Sequence, residues 1–156
     1  MPASRRAVIG ATVTALTTLT SGCGALASEA CESTPAPQSP VEVRLVGADM
    51  ERTLFDRAAV TKVGTVQNCQ GVTAFDVTVS EETATGVRES FESLDVADRT
   101  DRFEVTVVED GQITTRFGIK QSLADAVTSG DWERTIQLTF EERSTGEALH
   151  ERFRCG

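Results

Sequence analysis

Between Val41 and Phe140 the chain repeatedly alternates apolar and polar residues, and this period of two limits its possible folds more than any other feature. "VEVRLV" (41–46) sets Val41, Val43 and Leu45 against Glu42 and Arg44. "AFDVTVS" (74–80) does the same with Phe75, Val77 and Val79, "RFEVTVVED" (102–110) with Phe103, Val105 and Val107, and "TIQLTF" (135–140) with Ile136, Leu138 and Phe140. Successive side chains of a strand point to opposite faces, so each stretch predicts a strand with one apolar and one polar side. Asp110-Gly111 leads from the third stretch into "QITTRFGIK" (112–120), and Asp-Gly between such runs predicts a two-residue hairpin. The expectation is an antiparallel sheet covered on one side only.

The cover is read from helical spacing. Ser80 is placed to cap a helix over 81–94 whose Ala84, Val87, Phe91 and Leu94 fall on one stripe. Ser122 with Asp125 has the capping-box spacing for a second helix ending near Gly130, and Ser144 with Glu147 for a third that turns Leu149 and Phe153 inward. Residues 50–66 suggest a short helix around 56–60 and then a strand at 63–67. The predicted fold is α+β, a two-layer sandwich of a largely antiparallel sheet of about five strands with three helices on one face.

The N-terminal part has a different texture. Arg5 and Arg6 precede a moderately apolar stretch, Ala7 to Thr20, which is too short and too polar to span a bilayer. A twin arginine after Ser4 and shortly before Val8-Ile9 resembles the signal read by the Tat export system. Leu19-Thr20-Ser21-Gly22 ahead of Cys23 resembles a lipobox, which makes Cys23 the candidate lipid attachment residue. The alternative for Cys23 is a disulfide with Cys31. Residues 24–40 are small and polar with three prolines, the composition of a flexible tether. The expected organisation is a signal peptide at 1–22, a tether at 23–40 and one domain at 41–156, held on the extracytoplasmic face of the membrane.

Charge and residue inventory exclude several functions. The formal net charge is −9, loss of Arg5 and Arg6 with the leader makes it more negative, and only Lys62 and Lys120 are lysines. Such a surface repels itself at low ionic strength, a pattern that fits a halophilic, archaeal source. With no basic stripe and no interleaved aromatics, nucleic acid is not an expected partner. His150 is the only histidine and is read as a solvated side chain, so a zinc site or a nucleophilic triad lacks its parts. Asp95, Asp98 and Asp101 recur every third residue but do not follow the spacing of a calcium loop, and are read as solvated acids. No glycine-rich loop joins a strand to a helix, so no nucleotide cofactor is expected. Trp132 is read as an anchor for its loop, and Glu81-Glu82 as complements to a helix N-terminus. The expected function is non-enzymatic, with no catalytic residues, cofactor or metal. With Cys23 acylated, the remaining cysteines are Cys31, Cys69 and Cys155. Cys69 follows a strand and Cys155 ends a helix, so Cys69–Cys155 is the predicted disulfide, stabilising by roughly 4–5 kcal/mol at most for a loop of that length.

Four stretches carry a family resemblance: "LFDRAAVTKVGTVQ" (54–67), "FDVTVSEETATGVRESF" (75–91), "VVEDGQITTRFGIKQSLADAVTSGDW" (107–132) and "IQLTFEERSTGEAL" (136–149). In this order they resemble the head subdomain of P1, the first extracytoplasmic region of SecD, over roughly residues 42–154. SecD, with SecF, assists late steps of protein export through the Sec channel. The resemblance implies a lone head-like domain whose partners are unfolded exported polypeptide or components of the Sec translocase. It brings no catalytic residues. A structural or interaction role at the cell surface, unrelated to export, is the second reading.

Overall fold

The computed structural model describes residues 40–155, apart from the side chain of Cys155, together with the backbone of Gly24–Ala25. The strands are β1 (Gly24–Ala25), β2 (Val41–Gly47), β3 (Met50–Asp56), β4 (Val60–Val63), β5 (Gln67–Cys69), β6 (Val72–Val79), β7 (Glu104–Glu109), β8 (Gln112–Gly118) and β9 (Thr135–Phe140). The helices are α1 (Glu81–Ser93), α2 (Gln121–Ser129) and α3 (Arg143–Cys155). None of the described helices is long and apolar enough to cross a membrane.

The fold is α+β as expected, with a sandwich of more strands than the sequence suggested. All pairings are antiparallel, but they divide into two sheets. One sheet has the order β3-β2-β7-β8; the other has β1-β5-β6-β4 with β9 added to β6. A strand has two edges, and β5 and β4 share one edge of β6 by pairing with its first and last residues, Val72–Ala74 and Val77–Val79. β9 occupies the other edge, from Thr73↔Phe140 to Thr78↔Thr135. Alternation fixes which face of each strand is apolar without saying how many sheets share the strands, so one sheet of about five was expected where two are found.

Both sheets send their apolar faces into one core. Val43, Leu45 and Val107 meet Phe75, Val77 and Leu138 there, with Val87 and Phe91 of α1, Val127 of α2, and Leu149 and Phe153 of α3. α1 lies against β3 and α2, and α3 against β6, β4 and β9. The hairpin between β7 and β8 turns at Asp110 (φ 55°) and Gly111 (φ 77°), the two positive values that a type I′ turn requires.

The helix ends are a mixed result. Ser80 caps α1 as predicted, its hydroxyl accepting from the Thr83 amide at 3.2 Å, and Gly130 ends α2 with φ 85°. The two predicted capping boxes do not form. α2 begins at Gln121, with Lys120 at its cap position, so Ser122 lies inside the helix, and Asp125 receives Gln121 Nε2 at 2.8 Å instead. α3 begins at Arg143, whose Nε donates to Glu147 at 2.6 Å, so Ser144 is also inside. Residues 50–66 form β3, a short 3-10 helix at Arg57–Ala59 where a short helix was expected, and β4 at Val60–Val63 in place of the strand expected at 63–67.

Candidate functional site

Arg5, Arg6 and Cys23 lie outside the described residues, as do the tether and Cys31, apart from Pro40 and the backbone of Gly24–Ala25. Cys69 ends β5 and is disulfide-bonded, to a thiol that lies outside the described side chains. The path of α3 bears on which thiol that is. Gly146, early in α3, packs on Thr73 beside the β5–β6 turn, while Arg154 presents its carbonyl to Arg57 Nη2 at 3.3 Å, next to the far end of β6. α3 therefore carries Cys155 away from Cys69, and a bridge needs Cα atoms within about 7 Å.

His150 departs from its expectation of a solvated side chain. It is buried on α3, its ring edge-on to Phe75 with centroids 5.1 Å apart, and its Nε2 lies 2.8 Å from the Gly64 carbonyl. The carbonyl can only accept, so Nε2 carries the proton. The signal was present: residue 150 adjoins Leu149 and precedes Phe153 by three, inside the inward stripe. Asp95, Asp98 and Asp101 sit on two 3-10 turns and their approach, and no group of three or more metal-ligating side chains exists among the described residues. On the face of β2 and β3, the Arg44 guanidinium bonds Glu42 and Glu51, which raises its pKa, Glu42 contributing most.

The feature that combines shape with unsatisfied bonding potential is a groove of about 320 Å³ where the two sheets part. Val105, Phe117, Ile119, Leu123 and Ile136 give it an apolar lining, Gln137 and Thr139 form the β9 side, and Lys120 is the one charged residue that lines it. It lies between β8 and β9, the strands at the ends of their sheets.

The orientation of the β9 backbone follows from one hydrogen bond. In an antiparallel ladder alternate residues direct their N–H and C=O groups to opposite sides. Val79 N donates to Arg134 O at 2.9 Å, so Arg134 faces β6, and Ile136, Leu138 and Phe140 do likewise. The opposite flank agrees, since Asp76 turns its carbonyl away from β9 to accept from Gly64 N at 2.7 Å. Thr135, Gln137 and Thr139 therefore direct their main-chain groups outward. Trp132 Nε1 donates to the Thr135 carbonyl at 2.8 Å, so the tryptophan anchors its loop as expected and also closes that end of the edge. Among the described residues, nothing bonds the outward main-chain groups of Gln137 and Thr139 beside the groove.

Sequence reading placed the strand but did not find this site. It is built from Val105 and Ile136, which alternation places on apolar strand faces, with Phe117, Ile119 and Leu123, and only the separation of the sheets brings them to an edge. A second cavity of about 300 Å³ between α1 and α2 is lined by Glu81, Arg88 and Trp132 among others, with Arg88 and Glu81 making it more polar.

No family model matches the chain, and no curated protein does. Among solved structures it is similar to one described as "Structure and function of a membrane component SecDF that enhances protein export", with a TM-score of 0.52 and 15% identity. The likeness covers 76% of this chain and 63% of the other, so this chain matches somewhat less than two thirds of that protein's length. At this identity the likeness is one of fold: the domain is built as part of a SecDF chain is built.

Proposed function

We propose that the chain is a non-enzymatic extracytoplasmic binding module that engages extended segments of exported polypeptides or of the Sec translocase. The observation that carries this reading is the open main chain of Gln137 and Thr139 beside an apolar groove. Exposed strand edges pair with extended chains through main-chain bonds, a mode that tolerates many sequences, as a module meeting varied exported chains would need. The SecDF-like fold supports the same direction. In this reading the twin-arginine leader exports the domain, and Cys23, when acylated, holds it at the membrane surface. Both Cys23 fates, acylation and a disulfide, keep the domain on the extracytoplasmic side.

The test is binding of the mature protein, in molar salt, to an exported substrate kept unfolded and to the same substrate folded. Preferential binding of the unfolded form at concentrations up to hundreds of micromolar is expected, with weak affinity because ordering a flexible chain offsets much of the contact energy. Equal or undetectable binding of both forms would transfer the weight to a structural role at the cell surface.

A further inference from the structure

Resting on that reading, we infer that β9 accepts one added antiparallel strand in a single register, with apolar residues opposite Ile136 and Leu138 and main-chain bonds to Gln137 and Thr139. The register comes from two features. Gln137 and Thr139 offer outward amides and carbonyls with nothing described against either, whereas the Thr135 carbonyl is taken by the Trp132 indole at 2.8 Å, which stops the incoming strand at that end. The antiparallel sense continues the sheet, in which every pairing is antiparallel and slightly more stable per residue than the parallel form.

The side-chain pattern follows from the pleat. Ile136 and Leu138 are buried on the inner face of β9, whereas the Gln137 side chain is exposed. Residues directly opposite each other in a ladder share a face. Segment residues opposite Ile136 and Leu138 therefore point into the groove toward Phe117, Ile119 and Leu123, and those opposite Gln137 and Thr139 point to solvent. The latter two also make the hydrogen bonds. Recognition thus reads alternate apolar residues in an extended segment and leaves the intervening ones free.

The occupant is an unfolded segment of another protein rather than a second copy of this chain. In a second copy the inner face of β9 is already covered, because Leu138 and Phe140 sit in the core against α3, so its β9 has no apolar side chains to offer the groove. Charge points the same way, since two molecules of formal charge −9 repel each other while a segment with basic flanks is attracted.

The mature protein is titrated with a synthetic peptide, acetyl-Lys-Thr-Val-Thr-Val-Thr-Lys-amide, and with two N-methylated forms, using the fluorescence of Trp132, the only tryptophan. Threonines of the bound peptide face Gln137 and Thr139, so methylating their amides removes the inter-strand bonds and is expected to weaken binding at least tenfold. Methylating the valine amides, which point away from β9, is expected to change affinity by less than about threefold. Gln137→Pro supplies a second arm, since proline is tolerated on an edge where its nitrogen faces solvent; it is expected to melt near the wild-type temperature and to lose the peptide. Equal affinities of the two methylated peptides overturn the register while leaving the binding-module reading intact. Failure of the peptide where an unfolded exported polypeptide binds overturns the side-chain pattern. Failure of both ligands removes the reading on which the inference rests.

Discussion

At Gly146 a single hydrogen atom decides whether α3 can lie on its sheet. A Cβ at this position would fall 2.7 Å from Thr73 Cγ2 and 3.1 Å from Phe140 Cδ2, and Thr73 is a short, buried side chain further fixed by its bond to Asn68. Alanine is the better helix former by about 1 kcal/mol, but forcing a methyl into packed surroundings costs about 1–3 kcal/mol. Gly146→Ala is therefore expected to lower stability by up to about 2 kcal/mol in urea denaturation, and a gain in stability would show that α3 is free to lift. His150 shows where residue-level reading failed. Leu149 and Phe153 were legible because apolar residues at helical spacing have one sensible destination, whereas a histidine is buried only if a partner awaits it. Its place beside Leu149 in the inward stripe pointed to burial, but its partner, the carbonyl of Gly64, is a main-chain group in a loop distant in sequence.

Elements were legible where the local signal and the tertiary requirement coincide. Ser80 directly follows β6 and caps α1, and its hydroxyl meets the Thr83 amide as its sequence context implied. Ser80→Ala is expected to cost about 1 kcal/mol, measured by thermal or denaturant unfolding, because one amide at the start of α1 loses its acceptor. Ser122 and Ser144 carry the same spacing yet fail as caps, because α2 and α3 each start one or more residues earlier than the boxes require. β3 was missed because its residues Glu51, Arg52 and Thr53 are all exposed at a sheet edge, which erases alternation, and β3 bulges against β2 between Val43 and Arg44. The disulfide belongs to this scale as well. The direction of α3 opposes the Cys69–Cys155 pairing, so a peptide map of the unreduced protein is expected to join Cys69 to a peptide containing Cys23 or Cys31. Recovery of a Cys69–Cys155 peptide would mean that the end of α3 departs from its helical path.

For the molecule as a whole, charge and topology set the behaviour. A formal charge of −9 with two lysines predicts strong self-repulsion at low ionic strength, which molar salt, with a Debye length of about 3 Å, largely removes. Circular dichroism is expected to show loss of cooperative melting as salt falls from molar to tens of millimolar; an unchanged melting temperature would reduce the acidity to a solubility device. Topology explains why the candidate site escaped sequence reading while the fold class did not. Alternation and capping identify faces and ends, but a groove between two sheets exists only through their relative placement. Amide hydrogen exchange of the mature protein, with and without an unfolded exported polypeptide, reads whether the edge of β9 takes an extended chain. Ile136 and Leu138 already bond to β6 and serve as internal references. The Gln137 and Thr139 amides are expected to gain protection when the polypeptide binds while those references stay as they were; binding that leaves Gln137 and Thr139 exchanging at their unbound rates would rule out pairing at this edge.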